Sequence, residues 1–301
     1  MNGPAEYSER KESAGPEAAP SPPPGRTVLA AGSFRDLDFK DVRFLHEAYR
    51  LGRVTAMLLP ADAEGGEEAQ GSGFPPEERR YFVESLRYTG DLVPMVGAGP
   101  ADPERFSFLE GIDLVMIRET DEAAVEASIL LDACRNGSVD FRVLADSDLA
   151  GFPPHDLSIP SAGQGGKRIV ATGCFDWLHT GHIRFFEEVS GYGELHVVVG
   201  SDRNVELLKG KGHPLFPEER RRYMAEAVRY VERAYVSSGT GWMDAEPEID
   251  LIRPDIYAVN EDGDKPEKRR FCEEHGIEYL VLHRAPKVGM PRRSSTDLRG
   301  Y

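Results

Sequence analysis

Positive charge is what this chain has too little of. Its 301 residues carry 36 Lys and Arg against 52 Asp and Glu, a formal net charge of −16, which works against general affinity for nucleic acid or an anionic membrane surface. Cysteine is scarce as well. Cys134, Cys174 and Cys272 stand far apart, which excludes a disulfide framework and a CxxC metal site and suits a reducing, cytoplasmic setting. No uninterrupted apolar stretch approaches the roughly 20 residues of a membrane span, and the start carries no apolar signal-peptide core. Neither membrane insertion nor export is expected. Apolar residues still make up 40% of the chain, enough for the cores of two domains of ordinary size.

Against that background one stretch stands out. The apolar run Arg168-Ile169-Val170-Ala171-Thr172 leads directly into Gly173-Cys174-Phe175-Asp176-Trp177-Leu178-His179-Thr180-Gly181-His182. Two imidazoles three residues apart at a strand-to-helix turn lie where backbone N–H groups and the positive end of a helix dipole favour an anion. Gly173 allows a sharp exit from the strand, and Gly181 removes a side chain that would keep a phosphate from the backbone. A zinc pair is the competing chemistry, although no third ligand stands near in sequence. Two surface histidines at a helix start are the plain alternative.

This stretch resembles the HxGH signature of the cytidylyltransferase-like nucleotidyltransferases, whose usual form is G-x-F-D-x-x-H-x-G-H. Further residues extend the resemblance in order. Leu208-Lys209-Gly210-Lys211-Gly212-His213-Pro214 is a flexible basic loop of the kind that closes over a triphosphate. Glu219-Arg220-Arg221 matches a glutamate-arginine segment, with Arg221 on the family's arginine. Ser294-Ser295-Thr296-Asp297-Leu298-Arg299 looks like the late S-T-T-x-[IL] motif, whose hydroxyls cap a helix and whose N-terminus suits a second phosphate. Before it, Gly289-Met290-Pro291-Arg292-Arg293 departs from the Arg-Thr-Glu-Gly often seen in the family's cytidylyltransferases.

The resemblance implies a reaction. A phosphate oxygen of an acceptor attacks the nucleotide α-phosphorus in line and pyrophosphate leaves, with catalysis by positioning and charge stabilisation. His179, His182, Lys209, Lys211 and Arg221 are the implied catalytic residues. Gly173, Cys174, Phe175, Asp176, Thr180, Gly181, Trp242, Asn260, Asp262, Ser294, Ser295 and Thr296 are the implied nucleotide contacts. Trp242 aligns with a tryptophan of several cytidine-using relatives, so CTP is expected before ATP, with a small phosphomonoester or phosphonate as acceptor. Mg²⁺ is expected with the triphosphate and without a direct protein ligand, Asp176 acting through water. An ATP-dependent adenylyltransferase on a sugar phosphate is the alternative, and a nucleotide-sensing or scaffold protein without turnover is another.

The chain also repeats itself. Gly32 to Leu45 lies over Gly173 to Phe186 without a gap at an offset of 141 (173 − 32), and Phe74-Pro75 with Arg79-Arg80-Tyr81 lies over Phe216-Pro217 with Arg221-Arg222-Tyr223 at 142 (216 − 74). Asp113 to Ile117 keeps the offset of 142 against Asp255 to Val259. In the first copy Asp38 and Asp41 replace His179 and His182, Lys40 replaces Gly181, and Glu67 and Ala69 face Lys209 and Lys211. Carboxylates there repel a triphosphate, so this copy reads as degenerate and non-catalytic, with Asp38 and Asp41 as acid catalysts of another reaction the rival reading.

β-rich runs alternating with helical patterns predict an α/β chain of two Rossmann-like domains in tandem, each a parallel sheet flanked by helices. Strands are expected at Arg168–Thr172, Glu194–Gly200, Ile256–Val259 and Glu278–Leu282, and helices at His182–Val189, Pro217–Val231, Lys265–His275 and Glu122–Arg135. The expected organisation is a disordered leader over 1–25, the degenerate domain over 26–150, a linker over 151–166 and the catalytic domain over 167–301. Family members pair through this domain, so the degenerate copy reads as a built-in partner, a homodimer being the alternative.

Overall fold

The computed structural model describes residues 25–60, 74–93, 109–137, 139–155, 166–283 and 285–293. The expected leader, except Gly25, and linker residues 156–165 lie outside this set, as do Glu67 and Ala69. Thr27–Gly32 (β1), Arg53–Leu58 (β2), Asp91–Val93 (β3), Leu114–Arg118 (β4) and Asp140–Leu144 (β5) form one sheet. Arg168–Gly173 (β6), Glu194–Val199 (β7), Arg233–Val236 (β8), Ile256–Asn260 (β9) and Glu278–Leu282 (β10) form the second. Every strand pair is parallel. The strand orders, β3-β2-β1-β4-β5 and β8-β7-β6-β9-β10, are the same topology twice. The chain is therefore α/β, with two Rossmann-like five-stranded sheets in tandem.

The helices are Phe39–Tyr49 (α1), Pro76–Glu84 (α2), Val125–Gly137 (α3), Thr180–Ser190 (α4), Asp202–Lys209 (α5), Glu218–Glu226 (α6), Glu246–Ile252 (α7) and Pro266–His275 (α8). Among the described residues none is long and apolar enough to cross a membrane. Central strands read as unbroken apolar runs because helices cover both faces. Val28 to Ala31 and Leu195 to Val199 are accordingly buried throughout, polar His196 included. The repeat keeps its register in space: β6, α4 and β7 follow β1, α1 and β2 at an offset of 141, and α6, β8 and β9 follow α2, β3 and β4 at 142.

Helix α6 ends five residues before the predicted Val231, and the reason is the other copy. Val228 leaves the helix to form an antiparallel bridge with Leu86. Arg87 N donates to Ala227 O and Arg229 N donates to Ser85 O, both at 2.9 Å. These positions correspond at the offset of 142, so the two copies meet about an approximate two-fold axis, as an isologous interface requires. The arginine side chains repeat the pattern: Arg87 donates to Val231 O, and Arg229 donates to Thr89 O at 2.6 Å. Tyr81 hydroxyl donates to Glu187 at 2.6 Å, and its counterpart Tyr223 shares a hydrogen bond with His46 Nδ1 at 3.2 Å. One buried core cluster runs from Val28 and Leu86 through to Val228 and Ala258.

His46 stacks on Tyr88 with ring centroids 4.3 Å apart. Burial, helped by the neighbouring Arg43, lowers its pKa to about 4. A histidine whose folded pKa lies below its unfolded value stabilises the fold above pH 6.5, and that contribution is lost as pH falls from 6.5 toward 4. In urea unfolding, the stability lost between pH 7 and pH 5 is expected to be about 2 kcal/mol smaller in His46→Phe than in the parent. Equal losses in the two proteins would mean that His46 is protonated inside the fold.

Candidate nucleotide site

In an open parallel sheet ligands bind beyond the carboxyl ends of the strands, at the point where strand order reverses. The second sheet has a cavity of about 400 Å³ at that edge. Gly173, Cys174, Phe175 and Asp176 line it from the end of β6, His182 from α4, Lys209 from α5, and Asn260 and Asp262 from the end of β9. Trp242 lines it too, 48% exposed, with Lys265 Nζ 5.2 Å from its ring centroid.

The two histidines divide their tasks. His179 is the N-cap of α4 and is fully buried, its Nδ1 accepting from Gly181 N at 3.1 Å. Its ring stacks on His182 at 3.9 Å, and His182 is the one that lines the cavity. Phe175, held at φ 49°, sets its ring edge-on to His182 at 5.3 Å. A bulky residue in the left-handed region costs about 1–2 kcal/mol, yet Phe34 at the matching place in the first copy has φ 46°. The strained turn belongs to the fold rather than to the chemistry. A Cβ at Gly173 would lie 2.9 Å from the Phe175 ring, and one at Gly181 would lie 2.9 Å from the His179 ring. The Gly181 space expected for phosphate is thus claimed by the supporting imidazole.

Other predicted residues take different places. The Asp176 carboxylate accepts from Leu215 N at 2.8 Å and Phe216 N at 3.0 Å, which anchors the end of the lysine loop, while the residue also lines the cavity. Thr180 is buried, and its hydroxyl donates to Glu78 of the first copy at 3.1 Å instead of facing the cavity. Burial raises the Cys174 thiol pKa. Lys211 is exposed and does not line the cavity. Ser294, Ser295 and Thr296 lie outside the described residues.

The structure adds a lysine that sequence reasoning missed. Lys268, in the first turn of α8, lines the cavity although it is 8% exposed. Its Nζ donates to Thr172 Oγ at 3.2 Å and sits 5.5 Å from the Tyr257 ring. Burial lowers its pKa. Asp244 joins the wall, accepting from Ser237 Oγ at 2.6 Å. Lys268 reaches the end of β6 from a helix far along the chain, so no local motif marks it.

Comparison with known proteins decides the family. The family model described as "Cytidylyltransferase-like" matches residues 170–299. The FAD synthase of Aciduliprofundum boonei is 38% identical over 136 residues, which span 44% of this chain and 84% of that protein. The FAD synthase of Ferroglobus placidus is 40% identical over 119 residues, 38% of this chain and 74% of that protein. The chain belongs to the cytidylyltransferase-like family. Its relatives and its family model support nucleotidyl transfer as the general activity.

Within this cytidylyltransferase-like chain Arg221 needs correction. The resemblance implied a catalytic residue, but its guanidinium is 1% exposed and donates to three main-chain carbonyls, Phe216 O at 2.8 Å, Cys174 O at 2.7 Å and Gly200 O at 2.7 Å. Asp202 Oδ1 accepts from Nη2 at 2.7 Å. Arg79, its counterpart, reaches Ser33 O and Leu59 O in the same way. The arginine is a brace that ties the ends of the first two strands in both copies. The acidic pair of the first copy is likewise used up internally. Asp38 and Asp41 form a capping box on α1, and Arg118 donates to Asp41 at 2.6 Å and to Asp146 at 3.1 Å. Burial, with Asp38 beside it, raises the Asp41 pKa against the pull of Arg118.

Removing the brace leaves several buried acceptors unpaired. Arg221→Met and Arg79→Met are each expected to cost about 3 kcal/mol or more in urea unfolding. Stability within about 1 kcal/mol of the parent, with turnover lost in Arg221→Met alone, would return Arg221 to the catalytic set.

Proposed function

We propose that residues 167–301 transfer an adenylyl group from ATP to the phosphate of flavin mononucleotide, giving FAD and pyrophosphate. The name of the relatives, FAD synthase, supports the pair of substrates. The observation that carries the transfer itself is the imidazole pair at the N-terminus of α4, with His182 on the cavity wall and His179 stacked behind it. An oxygen of the acceptor phosphate forms the new bond to the α-phosphorus while the bond to the bridging oxygen breaks and pyrophosphate leaves. His182 stabilises charge on the phosphoryl groups in transit, and His179 fixes the ring orientation. Lys209 and Lys268 supply positive charge on opposite walls, and Lys211 joins on a closing loop.

Magnesium belongs to this reading as the counter-ion of the triphosphate. Among the described residues no three His, Cys, Asp or Glu side chains converge into a metal site, so the ion would be held by phosphate oxygens and water, with Asp176 on the cavity wall meeting it through water. The expectation of CTP leaned on Trp242, and an indole at the cavity wall stacks on adenine as readily as on cytosine. Residues 26–150 form the non-catalytic copy in this reading, because the anion site at α1 is filled by the chain's own Asp41–Arg118 pair.

The test is pyrophosphate release with ATP and with CTP, magnesium present, against flavin mononucleotide, phospho-alcohols, sugar 1-phosphates and phosphonates. ATP with flavin mononucleotide is expected to turn over and yield FAD, and His182→Ala to lower that rate roughly 10²–10³-fold with the fold intact. Turnover with CTP and a phospho-alcohol instead would restore the cytidylyl reading. Tight triphosphate binding with no release across the panel would favour a sensing role.

A further inference from the structure

Many contacts between the two copies obey the approximate two-fold axis, and a departure from it points at the nucleotide site. Glu78, in the first turn of α2, has no counterpart acid: the equivalent position is Arg220, whose guanidinium lies over Phe216 at 3.6 Å and Phe39 at 4.7 Å. Glu78 is fully buried, and a buried carboxylate is tolerated only with partners that compensate its lost hydration. Both of its partners belong to the other copy. Thr180, inside the histidine motif, donates to Oε2 at 3.1 Å. Arg293 donates to Oε1 through Nη2 at 2.8 Å and Nε at 3.0 Å, and Nε also lies 3.3 Å from Oε2.

Arg293 ends a segment, residues 285–293, that crosses the motif. Its carbonyl oxygen lies 3.4 Å from where a Cβ on Gly181 would stand. The same segment is held a second time by α2 and α4 together, since Lys287 Nζ donates to Glu187 at 3.2 Å and sits 4.2 Å from the Tyr81 ring. Immediately beyond Arg293 come Ser294, Ser295 and Thr296, the hydroxyl motif.

We propose that Glu78, supplied by the first copy, is a positioning residue for the nucleotide site of the other copy: through Arg293 and Thr180 it locks residues 285–293 against the histidine turn. The inference rests on the nucleotidyl-transfer reading of that site. It gives the first copy a role in the reaction that involves no ligand of its own. The neutral isostere Glu78→Gln keeps the shape and removes the charge that holds Arg293, and Arg293→Gln breaks the same pair from its more open side.

Hydrogen exchange on the full chain without substrate reads the lock directly. Amide exchange over 285–293 is expected to rise at least about fivefold in both variants, with unchanged protection of the central strands β6 and β7. Unchanged exchange over 285–293 overturns the inference whether or not ATP or CTP is turned over, so its failure is distinct from that of the proposed reaction. In turnover, KM for the triphosphate is expected to rise about tenfold in Glu78→Gln, Glu78→Asp to recover most of the loss, and Arg293→Gln to add little on top. A KM within twofold of the parent in both single variants also overturns it.

Discussion

Two main-chain hydrogen bonds, from Arg87 N to Ala227 O and from Arg229 N to Ser85 O, set the terms for the rest of the molecule. Buried amides and carbonyls must be paired, and these four are paired only when the copies face each other in one register. That register brings Tyr81 to Glu187 and Tyr223 to His46, and it sets α2 of the first copy against α4 of the second. The histidine turn sits at the start of α4. The geometry of the proposed chemistry is thus fixed in part by the copy without the histidines.

What the copies share and what separates them sort by physical role. The strained phenylalanine and the arginine brace recur in both, because each sheet needs its first two strands tied at the ligand edge. The histidines and the glycine between them do not recur. In the first copy Asp38 and Asp41 cap the helix and Arg118 pairs with Asp41, so the acidic groups at that turn have partners within the chain.

Much of this was legible in the sequence. The tandem, its offsets and the histidine turn follow from period and motif, which are local. The strands β6, β7, β9 and β10 stand within a residue of their predicted ends, whereas β8, α5 and α7 were not foreseen because each is short and its pattern weak. Helix α6 stops early because Val228 pairs with the other copy, a tertiary effect that helical periodicity does not record. Arg221 lies where the motif indicated but turns inward to carbonyls, and spacing does not tell which way a guanidinium faces. Lys268 reaches the cavity only through the fold, from the helix that follows β9.

The fusion of the two copies has a consequence for how the interface can change. When identical subunits pair across a two-fold axis, one substitution alters both symmetric contacts at once, so a change useful on one side must be tolerated on the other. Here each contact is encoded separately. Tyr223 meets His46 where Tyr81 meets Glu187, and Arg220 stands where its mate is Glu78. A gene duplication that is never separated frees every interface position to drift alone, and asymmetry of function needs no second gene to keep it.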